Sequence, residues 1–248
     1  MPTWKSEKLN SFLAQHGLSG SVLKLIAVIT MVIDHVGLYF LVGTDLYLPC
    51  RYIGRLSFPI FAFLIAEGLT HTRDIKKYFC RLVGFAIVSE IPVNLVLSGT
   101  LFSLGFCNVF FTFSFAALPV LSQTLCDEKQ GISKPLKYAL VAASFVVAGA
   151  AGYILKCDYS IEGIALVWVF YYLREMSQLR VIAAGVYMAL LCFGLSSKSP
   201  ASLFALIFIF FYNGERGFVK SRGLQLAFYA FYPVHFAIIW LISEIFPI

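Results

Sequence analysis

Seven ionisable residues sit inside apolar segments of the chain. They are Asp34 and His35 in LIAVITMVIDHVGLYFLV, Arg51 and Arg55 in RYIGRLSFP, Glu67 in FPIFAFLIAEG, Glu90 in SEIPVN and His235 in FYPVHF. In a bilayer each such group costs roughly 2.5–3.5 kcal/mol on insertion scales, so seven of them argue for use. Lys24 and His35 are eleven residues apart. At about 100° per residue this is close to three turns, so both fall on one helix face, about 16 Å apart along the axis. A cation at a membrane mouth can bind an anionic cosubstrate, and a deeper imidazole can move a proton. Lys24 alone reads as a snorkelling topology marker; His35 with Asp34 beside it favours a site.

Arg51 and Arg55 stand at i and i+4 and share a face. Two like charges there repel unless an anion lies between or beside them, as in phosphate or carboxylate recognition. Pairing with Glu67, Glu90 or Asp34 inside the bundle serves the same need, and the two uses are compatible. Asp34 projects about 100° from His35 on a regular helix, so it is expected to pair with an arginine rather than its neighbour. His235 lies thirteen residues past Arg222, at a depth like that of His35. It fits an acid–base pair and fits equally a satisfied interior hydrogen bond. No HxxxH or HExxH pattern is present, and no metal is expected.

The elements that hold these residues must be transmembrane helices. Hydrophobic residues make up 60% of the 248 residues, charged residues 13%, and mean hydropathy is +0.84. A soluble domain carries about 25% charged residues. The expected fold class is all-α, a polytopic membrane bundle of about eight to ten spans at roughly 20 residues each. Spans are expected near 21–42, 50–70, 78–98, 106–126, 136–155, 161–174, 179–195, 201–212 and 224–245. Residues 1–20 read as an amphipathic interfacial segment without a cleavable signal peptide, and 21–248 as a single transmembrane domain.

The loop HTRDIKKYFCR carries four basic residues in eleven and is expected on the cytoplasmic side. Nine spans then put Lys129, Lys134, Lys137, Arg174, Arg180, Arg216, Lys220 and Arg222 in inner loops, and only Lys156 and Lys198 in outer ones. The net charge of +6 is explained by this bias. No nucleic acid partner is expected, because the basic residues are dispersed among loops.

Pro59 follows Arg55 by four residues, Pro92 follows Glu90, and Pro233 precedes His235. Helix breaks at these prolines are expected to line a cavity. Glycines in FYNGERGF and CDYSIEG mark turns at helix ends. Tyrosines and phenylalanines are expected mostly at lipid or the interface. The six cysteines, which form no CxxC, read as packing residues.

KLIAVITMVIDHVG, RYIGRLSFPIFAFLIAEGLTHT, YFCRLVGFAIVSEIPVNL, NVFFTFSFAAL, CDYSIEGIALVWVFYYLR, FYNGERG and FYAFYPVHFAIIW together resemble the TraX family, in its order, over most of residues 24–240. The resemblance implies an integral acetyltransferase of the bacterial inner membrane, of the kind that acetylates F-type pilin N-termini; the basic loop and nine spans put its N-terminus on the cytoplasmic side. The family is in turn similar to a wider membrane acyltransferase group whose first helix carries a basic residue, ten others, then histidine. Lys24 and His35 match that spacing, with Lys where Arg is common, which removes bidentate contact there. Arg51 and Arg55 match the group's early arginine pair.

The implied donor is acetyl-CoA, and the acceptor an amine or hydroxyl on pilin or another envelope component. The expected catalytic set is His35 as general base, with Asp34 and Arg55. The expected binding set is Lys24, Arg51, Glu67, Glu90 and His235. A proton-coupled small transporter or flippase, and a structural pilus-assembly subunit, are the competing readings.

Overall fold

The computed structural model describes residues 7–103, 105–129, 131–195 and 199–246. The first six residues of the expected amphipathic segment, and Lys198, lie outside the described residues. The chain runs α1 (Glu7–His16), α2 (Gly20–Phe40), α3 (Tyr47–Gly54), α4 (Ser57–His71), α5 (Ile75–Ser98), α6 (Val109–Glu128), α7 (Lys134–Ile154), α8 (Ser160–Tyr172), α9 (Ser177–Leu190), α10 (Ala205–Phe210) and α11 (Arg222–Ile245). A π-turn, Leu191–Leu195, extends α9, and a 3-10 turn, Pro200–Phe204, leads into α10. The described residues contain no strand, only two isolated bridges.

Six helical stretches are long and apolar enough to cross a membrane: Gly20–Phe40, Tyr47–His71, Ile75–Ser98, Val109–Glu128, Lys134–Ile154 and Arg222–Ile245. Three shorter apolar helices, Ser160–Tyr172, Gln178–Phe193 and Pro200–Phe210, occupy the remaining predicted spans. The protein is an all-α polytopic membrane bundle. The bridge Cys107–Cys157 closes over two of the long segments, which places its two partners on one side of the membrane.

The described residues form two compact units. The first comprises residues 1–64 and 173–228, the second 65–172 and 229–248. In the first, α2 packs on α3, and α9 on α10. In the second, α5 through α8 pack on one another around α6.

Several local expectations are corrected. Only Pro59 accompanies a break, and the break lies upstream: α3 ends at Gly54 and α4 starts at Ser57. Proline at position 59 cannot donate to the Arg55 carbonyl and crowds the turn before it. Pro92 and Pro233 sit inside unbroken α5 and α11. Each removes a single ladder bond, and the apolar turns on both sides continue the helix. Around CDYSIEG the left-handed backbone falls on Lys156 just before it and on Tyr159 and Ser160 within it, while Gly163 is buried within α8. Arg180 is not a loop residue but a buried residue of α9, with its guanidinium 4.7 Å from the Phe63 ring centroid. The aromatic residues are not all peripheral: Phe63 and Phe170 are fully buried.

The start of α2 is clasped by the NGERG turn. Gly20 N donates to Glu215 O (2.8 Å), Ser21 N to Arg216 O (3.0 Å) and Val22 N to the Ser19 side chain (3.4 Å). Thus the orphan amides that every helix start exposes are satisfied by protein. The buried Ser21 hydroxyl donates to Arg216 O (2.7 Å) and accepts from Val219 N (2.8 Å). Gly217, at φ +77°, lies so close that a Cβ would sit 2.3 Å from Ser19 Oγ. Here glycine is needed both for its backbone and for its lack of a side chain. The clasp fixes the end of α2 from which Lys24 projects.

Ser21→Ala strips the partner from a buried amide and should cost about 1–3 kcal/mol, read as a lower unfolding temperature in detergent. Asp74, which caps α5 by accepting from Lys77 N (2.9 Å), has its carboxyl held below the ordinary value of 3.8 by that hydrogen bond. Its folded-state pKa is depressed, so its stabilisation is complete above the unfolded value and is lost as pH falls through the folded one. Asp74→Asn should therefore flatten the fall in unfolding temperature below pH about 4.

Candidate functional site

The first unit brings three of the expected residues into one ion cluster. Asp34 comes from α2, Arg51 from α3, and Arg55 from the break between α3 and α4. Arg51 Nη1 donates to Asp34 Oδ1 at 2.8 Å. Arg55 Nη2 lies 3.1 Å from Oδ1 and 3.0 Å from Oδ2, and Arg55 Nε donates to Arg51 O at 3.3 Å. Asp34 is thus the anion that the i, i+4 arginine pair requires. Its side chain is 12% exposed, against 23% and 24% for the arginines. The two guanidiniums and one carboxylate leave the cluster with one formal positive charge.

Two close approaches make the cluster possible. A Cβ on Gly54 would sit 2.1 Å from Asp34 Cβ, and one on Gly37 would sit 2.5 Å from Cys50 Cβ. The α2 and α3 backbones meet where glycine leaves room, one turn apart on each helix. Ser57 Oγ then ties the start of α4 to α2 through Ala27 O (2.9 Å). The RxxGR pattern in RYIGR was the signal for this contact, and reading it only as two arginines missed the glycine.

His35 follows Asp34, half-buried, with its ring centroid 6.3 Å from that of Tyr39. Lys24 is also half-buried on α2 and places its ammonium 5.9 Å from the Phe228 ring centroid. The first unit therefore carries Lys24, Asp34, His35, Arg51 and Arg55.

Glu67, Glu90 and His235 belong to the second unit. Glu90 anchors the start of α6. Its Oε1 accepts from Asn108 N (2.9 Å) and Asn108 Nδ2 (2.6 Å), and its Oε2 from Asn94 Nδ2 (3.1 Å). Asn108 in turn caps α6 by accepting from Phe110 N (3.0 Å). A carboxylate at a helix start is favoured by the amide dipoles there, so Glu90 has a structural use. His235 is buried, with Nδ1 3.1 Å from Phe231 O and its ring stacked on Phe231 at an interplanar angle of 9°. Glu67 Oε2 is 3.9 Å from His71 Nδ1, a partner that the sequence did not single out. No group of three or more metal-ligating side chains occurs among the described residues.

Residues 19–243, which contain every one of these side chains, match the family described as TraX protein. The chain belongs to the TraX family. It is 32% identical, over 88% of its length and 92% of the relative's, to a probable fimbrial assembly protein FimC, serogroup H1, of Dichelobacter nodosus. It is 24% identical, over 97% of its length and 92% of the relative's, to Protein TraX of Escherichia coli. No solved structure matches.

In this TraX chain the fork makes strong, separable claims. Asp34→Ala leaves two guanidiniums facing each other and should cost about 3–5 kcal/mol, as when a buried pair loses one partner. Gly54→Ala keeps every charge but pushes Asp34 aside, and should destabilise through the same cluster. Asp34→Gly combined with Gly54→Ala, which removes the Cβ that the new methyl would meet, should lose much less than the sum of its two single changes. Thermal unfolding of the three proteins in detergent measures this; additive losses would place Gly54 outside the cluster.

Proposed function

We propose that this TraX protein transfers an acetyl group from acetyl-CoA to an amine or hydroxyl acceptor at the membrane. Its orientation is with the HTRDIKKYFCR loop and the NGERG clasp cytoplasmic, in the bacterial inner membrane. The observation that carries the reading is the first unit's cluster: a half-buried His35 next to an Asp34–Arg51–Arg55 fork with surplus positive charge, and Lys24 toward the clasped end of the same helix. The family's wider resemblance to membrane acyltransferases gives these positions their roles.

The donor is used on the cytoplasmic side, where Lys24 attracts its phosphates. The positive charge of Arg51 and Arg55 stabilises the negative charge that develops on the thioester oxygen. His35 takes the proton of the acceptor N–H or O–H as that atom attacks the thioester carbonyl. The C–S bond then breaks, the acetyl group stays on the acceptor, and the thiolate regains a proton from imidazolium. Asp34 acts by holding both arginines in place. A pilus or fimbrial subunit is the acceptor favoured by the names of the relatives, which include a fimbrial assembly protein.

Purified protein in nanodiscs, given acetyl-CoA and an envelope extract, should release free thiol. His35→Ala should lower that rate about 10²–10⁴-fold, the contribution of a general base. An unchanged rate in a folded His35→Ala protein would remove His35 from the chemistry. No acetyl-CoA binding and no thiol release by folded wild type would favour transport instead.

A further inference from the structure

Cys107 and Cys157 face each other. Cys107 N donates to Lys156 O (3.4 Å), and Asp158 N donates to Cys107 O (2.9 Å), which makes Cys107 and Cys157 opposite residues of a parallel bridge. Opposed residues of neighbouring strands are about 4.8 Å apart, inside the Cα range of about 4.4–6.8 Å that a disulfide spans. Opposed residues of a bridge project their side chains on the same side, so the two thiols face each other. Both belong to the second unit, one in the segment before α6 and one in the segment after α7. Under the orientation proposed above, both segments are on the outer face of the membrane, the oxidising side in bacteria.

We propose that Cys107 and Cys157 form a disulfide on the outer face, closing α6 and α7 into a covalent hairpin. The oxidant is a disulfide-carrying donor, a periplasmic oxidoreductase or a small-molecule disulfide. A cysteine sulfur of the pair attacks the donor disulfide, and the second cysteine then displaces the donor sulfur. One S–S bond forms, one breaks, two electrons pass to the donor, and the two thiol protons leave with its sulfurs. Burial pushes both thiols up, Cys157 to about 12, so spontaneous attack is slow and a catalysed donor is needed. Cys107 is half-buried and is the thiol a donor reaches first; Cys157 is 4% exposed. The link crosses about 50 residues and would restrict the unfolded chain by a few kcal/mol in the loop-entropy account.

The proposal rests on the orientation and not on the acetyl-transfer chemistry, and the test separates the two. Full-length chain in bacterial membranes is acid-quenched, denatured and alkylated with a polyethylene-glycol maleimide, with and without reductant. From cells with a periplasmic disulfide oxidase, two of the six thiols should be protected until reductant is added. Cys107→Ser and Cys157→Ser should each abolish that protection, since denatured counting does not require either variant to fold. All six thiols reacting without reductant, or protection surviving in either variant, would overturn the pairing. A reporter, Phe102→Cys in the exposed segment before α6, is labelled in intact cells by a membrane-impermeant thiol reagent. Labelling before lysis supports the outer placement; labelling only after lysis overturns the proposal through the orientation.

Discussion

A guanidinium pair in an apolar environment must find an anion, and the first unit is arranged around that necessity. Arg51 and Arg55 stand one turn apart and both reach Asp34. Such a cluster is favourable only with near-complete hydrogen bonding, because the desolvation of three charges opposes it. Completeness requires α2 and α3 to approach at backbone distance, hence Gly54 against Asp34 and Gly37 against Cys50. The break before Pro59 frees Arg55 from a regular helix and turns it onto the same carboxylate. Sequence features that look unrelated, two glycines, a proline and three charges, serve one contact.

The clasp at the other end of α2 has a complementary part. Backbone carbonyls of Glu215 and Arg216 and the Ser19 hydroxyl take up the first amides, and Ser21 joins the two strands of contact. A helix pinned at its start and by the fork fourteen residues on cannot slide or rotate without breaking several charged or buried hydrogen bonds. Lys24 and His35 lie on α2 within or just past that pinned stretch. Their spacing of about 16 Å is therefore maintained by contacts elsewhere on the helix.

Much of this was legible in the sequence. Hydropathy placed the six long spans, since lipid imposes long apolar segments, and three shorter apolar helices lie where the other spans were expected. The pairing of Asp34 with an arginine followed from the helical angle between Asp34 and His35. Other features were not legible, because they depend on which surfaces meet. Pro92 and Pro233 looked like helix breakers, yet a missing donor is tolerated when the neighbouring turns hold. Arg180 looked like a topology marker until its guanidinium was seen on the Phe63 face. Glu90 read as a buried functional charge; its bond to Asn94 lies within α5, but its bonds to Asn108 appear only when α6 is brought beside α5. Cysteines fifty residues apart carry no sequence sign of being opposed.

The central claim is that the Asp34 fork serves chemistry as well as packing. The direct measurement is transfer of isotope-labelled acetyl from acetyl-CoA to an envelope fraction by Asp34→Asn protein, at a temperature where circular dichroism shows it folded. The account predicts a folded helical protein whose transfer is lost, because the arginines are no longer held. A folded Asp34→Asn protein that transfers acetyl at the wild-type rate would contradict it and leave the fork a purely structural clamp.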